Sequence, residues 1–168
     1  MKAAVIAAVL TIATLLAAGA ELPKWEREPE TYRGVPFGAS IATARQKVTG
    51  LACHDDKDAG TICASIFDLT PQLKGVRDAW LFVDGKFTGA AMLFPVNADL
   101  DFTEVLIERY GRPTTPDYTT STVWVWRGDH LIASCDLQER TFTLATPAFS
   151  DRMGRAMQQQ KKDAASKF

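Results

Sequence analysis

Histidine is scarce in this sequence: His54 and His130 are the only two among 168 residues, and cysteine occurs three times. Hydrolytic triads need a nucleophile, a histidine and an orienting carboxylate in contact. One histidine falls in a charged loop and the other at a hairpin tip, so neither is placed for that role. G-x-S-x-G, H-E-x-x-H and a phosphate-cradling glycine loop are all missing. Asp99 and Asp101, the nearest approach to paired catalytic carboxylates, read better as helix caps. No enzyme, cofactor or metal site is therefore expected. A strong charge of either sign is also lacking, with 19 basic and 20 acidic residues. Nucleic acid and anionic lipid require a concentrated basic face, so neither is an expected partner.

What the chain does have begins with "MKAAVIAAVLTIATLLAAGA": one positive charge at Lys2, an Ala/Leu-rich run, and small residues Ala18 and Ala20 around Gly19. This layout predicts a Sec signal peptide over 1–20, cleaved before Glu21, in preference to an uncleaved membrane anchor. No cysteine follows the apolar run, so no lipid anchor is indicated. The expected location is periplasmic or secreted. The remaining chain, with 18 basic against 20 acidic residues, has the length of one domain and can bury a core of its own.

Export decides how "LACHDDKDAGTICAS" (51–65) is read. Paired cysteines become disulfides in oxidising compartments. Nine residues separate Cys53 from Cys63, and Asp58-Ala59-Gly60 allows the chain to turn back. A disulfide clipping a loop between the first helix and the first strand is expected. A structural zinc site calls for four ligands in close pairs, and a thioredoxin-like pair calls for C-x-x-C. The D-x-D spacing of Asp56 and Asp58 fails as a calcium loop, because its third ligand position falls on Gly60, its turn glycine on Thr61 and its terminal glutamate on Phe67. Cys135 alternates with Leu131 and Ala133 and is expected as a buried, inert thiol.

Residues 21–36 carry charges and three prolines, predicting an extended segment laid across the domain through Trp25 and Tyr32. "FGASIATARQKVTG" predicts a short helix capped by Ser40, with Ile41, Ala44 and Val48 inward and Gly50 as its stop. "TICASIFDL" (61–69) reads as the first strand. In "DAWLFVDGKFTGAAMLF" (78–94), Asp84-Gly85 predicts a type I′ hairpin with Phe82 facing Phe87 and Trp80 facing Gly89. "DLDFTEVLIERYGRP" predicts the second helix, from an Asp101 cap to a Gly111 stop. "STVWVWRGDHLIASCDL" predicts a second hairpin turning at Gly128-Asp129, and "TFTLAT" a last strand. A polar helical tail, capped by Ser150, is expected over 148–168.

The expected fold is α+β: one domain over 37–147, with an antiparallel sheet of five to six strands and two helices on one face. The aromatics Trp80, Phe82, Phe87, Trp124 and Trp126 are expected as its core, under Phe37, Ile41, Phe102 and Leu106, in preference to an exposed binding platform. A binding surface would then lie on the other face, near Thr88, Met92, Thr141 and Thr143.

This order of elements, with "YRGVPFGASIATARQKV", "DGKFTGAAMLF", "LIERYGRPT" and "VWVWRGD", resembles a group of uncharacterised secreted bacterial proteins. Their architecture is similar to β-lactamase-inhibitor-protein-like modules and outer-membrane-assembly-lipoprotein (BamE/SmpA-like) modules. The resemblance covers residues 32 to 146. It implies helices packed on one face of an antiparallel sheet and a role in protein binding, with another envelope or secreted protein as partner. The group supplies no catalytic residues to carry over. Two other roles stay open: a small hydrolase or metal-binding protein centred on the 53–63 loop, and an inhibitor of a secreted enzyme.

Overall fold

Asp84 and Gly85 form the two-residue turn that their sequence predicts, with φ of 51° and 73° and Val83 paired to Lys86. Both angles belong to a type I′ turn, whose twist matches the strands it joins. Around this hairpin a computed structural model describes residues 24–56, 59–95, 102–115 and 118–152. In chain order the elements are β1 (Thr31–Tyr32), β2 (Val35–Pro36), α1 (Ile41–Lys47), β3 (Ala52–Asp56), β4 (Gly60–Phe67), β5 (Val76–Val83) and β6 (Lys86–Leu93). They continue with α2 (Phe102–Tyr110), β7 (Val123–Arg127), β8 (Ile132–Asp136) and β9 (Thr141–Ala145). The chain is helical again over 147–152. The signal segment 1–20, Asp58, Asp99, Asp101 and the tail beyond residue 152 lie outside the described residues.

β1 and β2 form a small hairpin, and the other seven strands form one antiparallel sheet in the order β3-β4-β5-β6-β9-β8-β7. The expected strand count of five to six is therefore corrected to seven. The additional strand is β3, the stretch expected as an exposed loop. Its residues, Ala-Cys-His-Asp-Asp, lack apolar alternation because the strand stands at an edge with one flank in solvent. The β6–α2–β7 connection carries the chain to the far edge. β9 then returns to the middle and joins the two meanders by pairing with both β6 and β8.

The register sets two cross-sheet rows on one face. Cys53, Cys63, Trp80, Ala90, Leu144, Ala133 and Trp126 stand opposite one another in successive strands, followed by Ser65, Asp78, Met92, Phe142, Cys135 and Trp124. The apolar members join Ala44 of α1 and Phe102, Leu106 and Tyr110 of α2 in one hydrophobic cluster, with Phe37 and Ile41 packed against it. The tryptophans are thus core. Burying one such side chain contributes about 2–3 kcal/mol by transfer alone. Trp25 and Tyr32 of the N-terminal segment belong to the same cluster.

Trp80 does not face Gly89. A bulge makes Phe82 face Phe87 while Leu81 faces Gly89, so Thr88 is the extra residue and Trp80 faces Ala90. The Thr88 hydroxyl donates to the Leu81 carbonyl at 3.1 Å. Gly89 has a different cause: a Cβ there would lie 2.8 Å from the Leu144 carbonyl oxygen. Each helix keeps one of its expected bounds, whereas α1 ends at Lys47 with Val48 as its C-cap, short of the expected Gly50 stop, and the expected Asp101 cap lies outside the described residues. Ser40 accepts the Thr43 N–H at 3.2 Å, and Gly111, at φ 80°, donates to Ile107.

The third helical segment departs from expectation in its start. Thr146, not Ser150, caps it, accepting the N–H groups of Phe149 and Ser150 at 3.1 Å. Pro147 occupies the first turn, where its missing N–H costs nothing. Phe149 packs with Leu81 and Ala145 on the sheet face opposite α1 and α2.

Candidate binding surface

Cys53 and Cys63 face each other across β3 and β4 and are joined by a disulfide, with Cα atoms 3.9 Å apart. The clipped loop is therefore a β-hairpin. Its turn is tied by the Ala59 N–H to the Asp56 carboxylate at 3.1 Å, and Thr61 donates its hydroxyl to Asp55 at 2.7 Å. Close Cα spacing marks a non-hydrogen-bonded pair, in which the backbone groups of both residues point away from the partner strand. The N–H and C=O groups of Cys53 and, two residues on, Asp55 therefore face the open side of β3. Among the described residues, no backbone hydrogen bond reaches them from that side.

The opposite edge is closed. Thr114 and Thr115 both donate N–H groups to the Val125 carbonyl, at 2.8 and 3.2 Å. The Val125 N–H is taken by the Thr115 hydroxyl at 2.6 Å and the Arg127 N–H by the Thr114 hydroxyl at 3.1 Å. Trp25 completes the cover by donating its N–H to the Arg127 carbonyl at 3.0 Å. Among the described residues the sheet thus presents one satisfied edge, β7, and one open edge, β3.

The densest polar cluster lies inside. Asp78, buried on the core face, accepts from Ser65 at 2.5 Å, Arg33 at 2.8 Å and Tyr32 at 3.1 Å. The Arg33 guanidinium lies 4.0 Å from the Phe67 ring centroid. Burial and then the nearby Asp78 charge push the Tyr32 hydroxyl well above its ordinary pKa. A serine beside a carboxylate without a histidine has no proton relay, and these four groups satisfy one another. The cluster is a structural anchor between the N-terminal segment and the sheet.

The two histidines are exposed and sit at opposite edges, His54 on β3 and His130 in the β7–β8 turn. No group of three or more His, Cys, Asp or Glu side chains converges among the described residues. Cys135 is free and buried, and desolvation raises its thiol pKa to about 12. A shallow depression of about 300 Å³ is lined by Leu69, Thr70, Val105, Glu108 and Arg109.

Of the four residues singled out from sequence as a binding surface, Thr141 and Thr143 stand two apart on β9, on the face opposite Phe142. Met92 is buried on the core face opposite Phe142, Thr143 is fully buried and Thr141 nearly so, and Thr88 is the half-buried bulge residue. Among the described residues, Ile66 (69 %) and Leu93 (39 %) are the large exposed apolar side chains, both on the outer face. Exposed Arg77 stands between them, paired with both. Sequence alternation could mark Ile66 as outward, but only the β4–β5–β6 register brings the three into one row.

No protein-family model matches the chain, and no curated protein matches it. Among solved structures it is similar to the crystal structure of the C-terminal domain of TagH, at 12 % identity and a TM-score of 0.35. The alignment covers 66 % of this chain and 48 % of that one, so the chain spans about half of its neighbour. A likeness at that score carries no functional conclusion.

Proposed function

We propose that this chain is an extracytoplasmic, non-enzymatic binding protein that engages another exported protein along the β3 edge. The observation that carries this reading is the unequal treatment of the two sheet edges. One is sealed by Thr114, Thr115 and Trp25. The other has no backbone partner among the described residues yet is held rigid by the Cys53–Cys63 bridge. An open edge offers main-chain hydrogen bonds to an extended segment, a recurring mode of peptide recognition. The disulfide also supports the location, since such bonds persist in oxidising compartments. No helix among the described residues is long and apolar enough to cross a membrane.

The test is position-specific photocrosslinking in cells that export the chain, with the reactive residue at His54 and, as control, at Glu139 in the β8–β9 turn. One defined protein adduct from His54 and none from Glu139 is the expected result. Equal labelling from both positions, or none from either, would defeat the reading.

A further inference from the structure

We infer that the segment completing the β3 edge is an extended, lysine- or arginine-bearing strand of the partner, added as an eighth strand. This rests on the binding reading above and specifies the chemistry of what is bound.

The backbone argument comes first. The outward groups of Cys53 and Asp55 lie two residues apart, about 7 Å along the strand. That spacing matches the repeat of an incoming antiparallel strand, which would exchange a pair of hydrogen bonds with each residue. β3 is already fixed by its ladder to β4, by the disulfide and by the Thr61–Asp55 bond. Little conformational freedom remains to be lost on its side of the contact, which favours association.

Charge then selects the occupant. Stretch 54–58 carries three aspartates against one lysine. Asp55 is exposed and projects to the core side of the sheet plane with Cys53, whereas Asp56 projects to the other side with exposed His54. A strand laid along this edge therefore meets the exposed Asp55 carboxylate, which the Thr61 hydroxyl holds in place. A second copy of the chain would bring its own Asp55 carboxylate onto the same short ladder. Such repulsion is how natural edges resist self-pairing. It does not resist a cationic strand, so the same residues exclude one partner and select another.

The experiment uses the full exported chain, labelled with nitrogen-15, and three capped peptides: alternating Lys-Val, alternating Glu-Val, and Lys-Val methylated on alternate backbone nitrogens. The Lys-Val peptide is expected to shift the amide signals of Cys53 and Asp55 and slow their hydrogen exchange by about tenfold or more at saturation. The Glu-Val and N-methylated peptides should do neither. Asp55→Pro removes an outward N–H while sparing the inward donors of His54 and Asp56, and should abolish the effect with the disulfide intact. Should that variant misfold, the N-methylated peptide still tests the hydrogen bonds.

Equal binding of the Glu-Val peptide would overturn the charge assignment. No Lys-Val binding, or shifts confined to other strands, would overturn the edge assignment. Protection of Cys53 and Asp55 that rises with protein concentration alone would identify a second copy as the occupant and overturn the proposal. If the peptides fail while His54 still crosslinks to one protein, the binding reading stands and the cationic strand falls.

Discussion

The carboxylate of Glu28 stands where a Cβ on Gly128 would have to go. It accepts the backbone N–H groups of Asp129, His130 and Leu131 at 2.8, 2.6 and 2.5 Å, and so fastens the N-terminal segment to the β7–β8 turn. Three charge-assisted bonds to one half-buried group make Glu28→Ala destabilising by about 1–3 kcal/mol. Gly128→Ala should also destabilise, by crowding the carboxylate out. Urea unfolding reads both. Midpoints equal to wild type would show that the segment is held by its other contacts, Trp25 and the Tyr32 and Arg33 bonds to Asp78 among them.

Replacing Cys53 and Cys63 together by alanine opens a loop with a sequence separation of 10. The loss of stability should be about 2–3 kcal/mol in the chain-entropy account. Reductant should shift the wild-type urea midpoint and leave the double variant unmoved. A reductant effect on the double variant would mean that another bond is being broken.

Tyr32 and Tyr110 both have hydroxyls whose pKa values burial raises above the ordinary 10.0. The folded chain keeps them protonated where the unfolded chain has ionised. Their contribution is therefore complete below pH 10 and is lost as pH rises from there toward the folded values. Stability measured from about pH 8 to about pH 11 should fall only in the upper part of that range, and Tyr110→Phe should flatten the fall. A decline beginning well below the tyrosine range would assign it to other groups.

Cys135 should resist iodoacetamide in the native protein, since its thiol pKa of about 12 leaves almost no thiolate at neutral pH. Denaturation without reductant should expose one alkylatable thiol, and reduction should raise the count to three. Rapid native labelling would show that the core opens around β8.

Gly89→Ala should cost about 2 kcal/mol or more, because its Cβ would press on the backbone of β9. Gly85→Ala would instead strain only a turn of positive φ. The gap between the two midpoints distinguishes backbone contact from turn strain. Equal losses would place the cost at Gly89 in something other than the β9 approach.

Much of the fold was legible because local signals agreed with one another. Asp84-Gly85 specified its turn, Ser40 and Gly111 bounded their helices, and the alternation of Trp124, Trp126 and Ala133 placed them in the core. β3 was not legible, because an edge strand needs no apolar period and Cys-His-Asp-Asp gives none. The bulge at Thr88 was hidden as well. It shows in the β5–β6 register, which no local pattern of residues 86–93 specifies. The disulfide was legible from export and spacing. Its place across two strands, and the open edge beside it, were not.

By itself the sequence determined the local pieces: a chain with an export-like start, two capped helices, hairpins at their turn residues, a Cys53–Cys63 pairing and an aromatic core. These follow from backbone preferences and side-chain periods that act over a few residues. Tertiary structure alone decided which strand stands at each edge, which face receives the helix at 147–152, and which polar groups are left facing outward. Those outcomes depend on pairings between segments far apart in the chain, such as β6 with β9 and Thr114 with Val125. Their energies arise only when distant backbones meet.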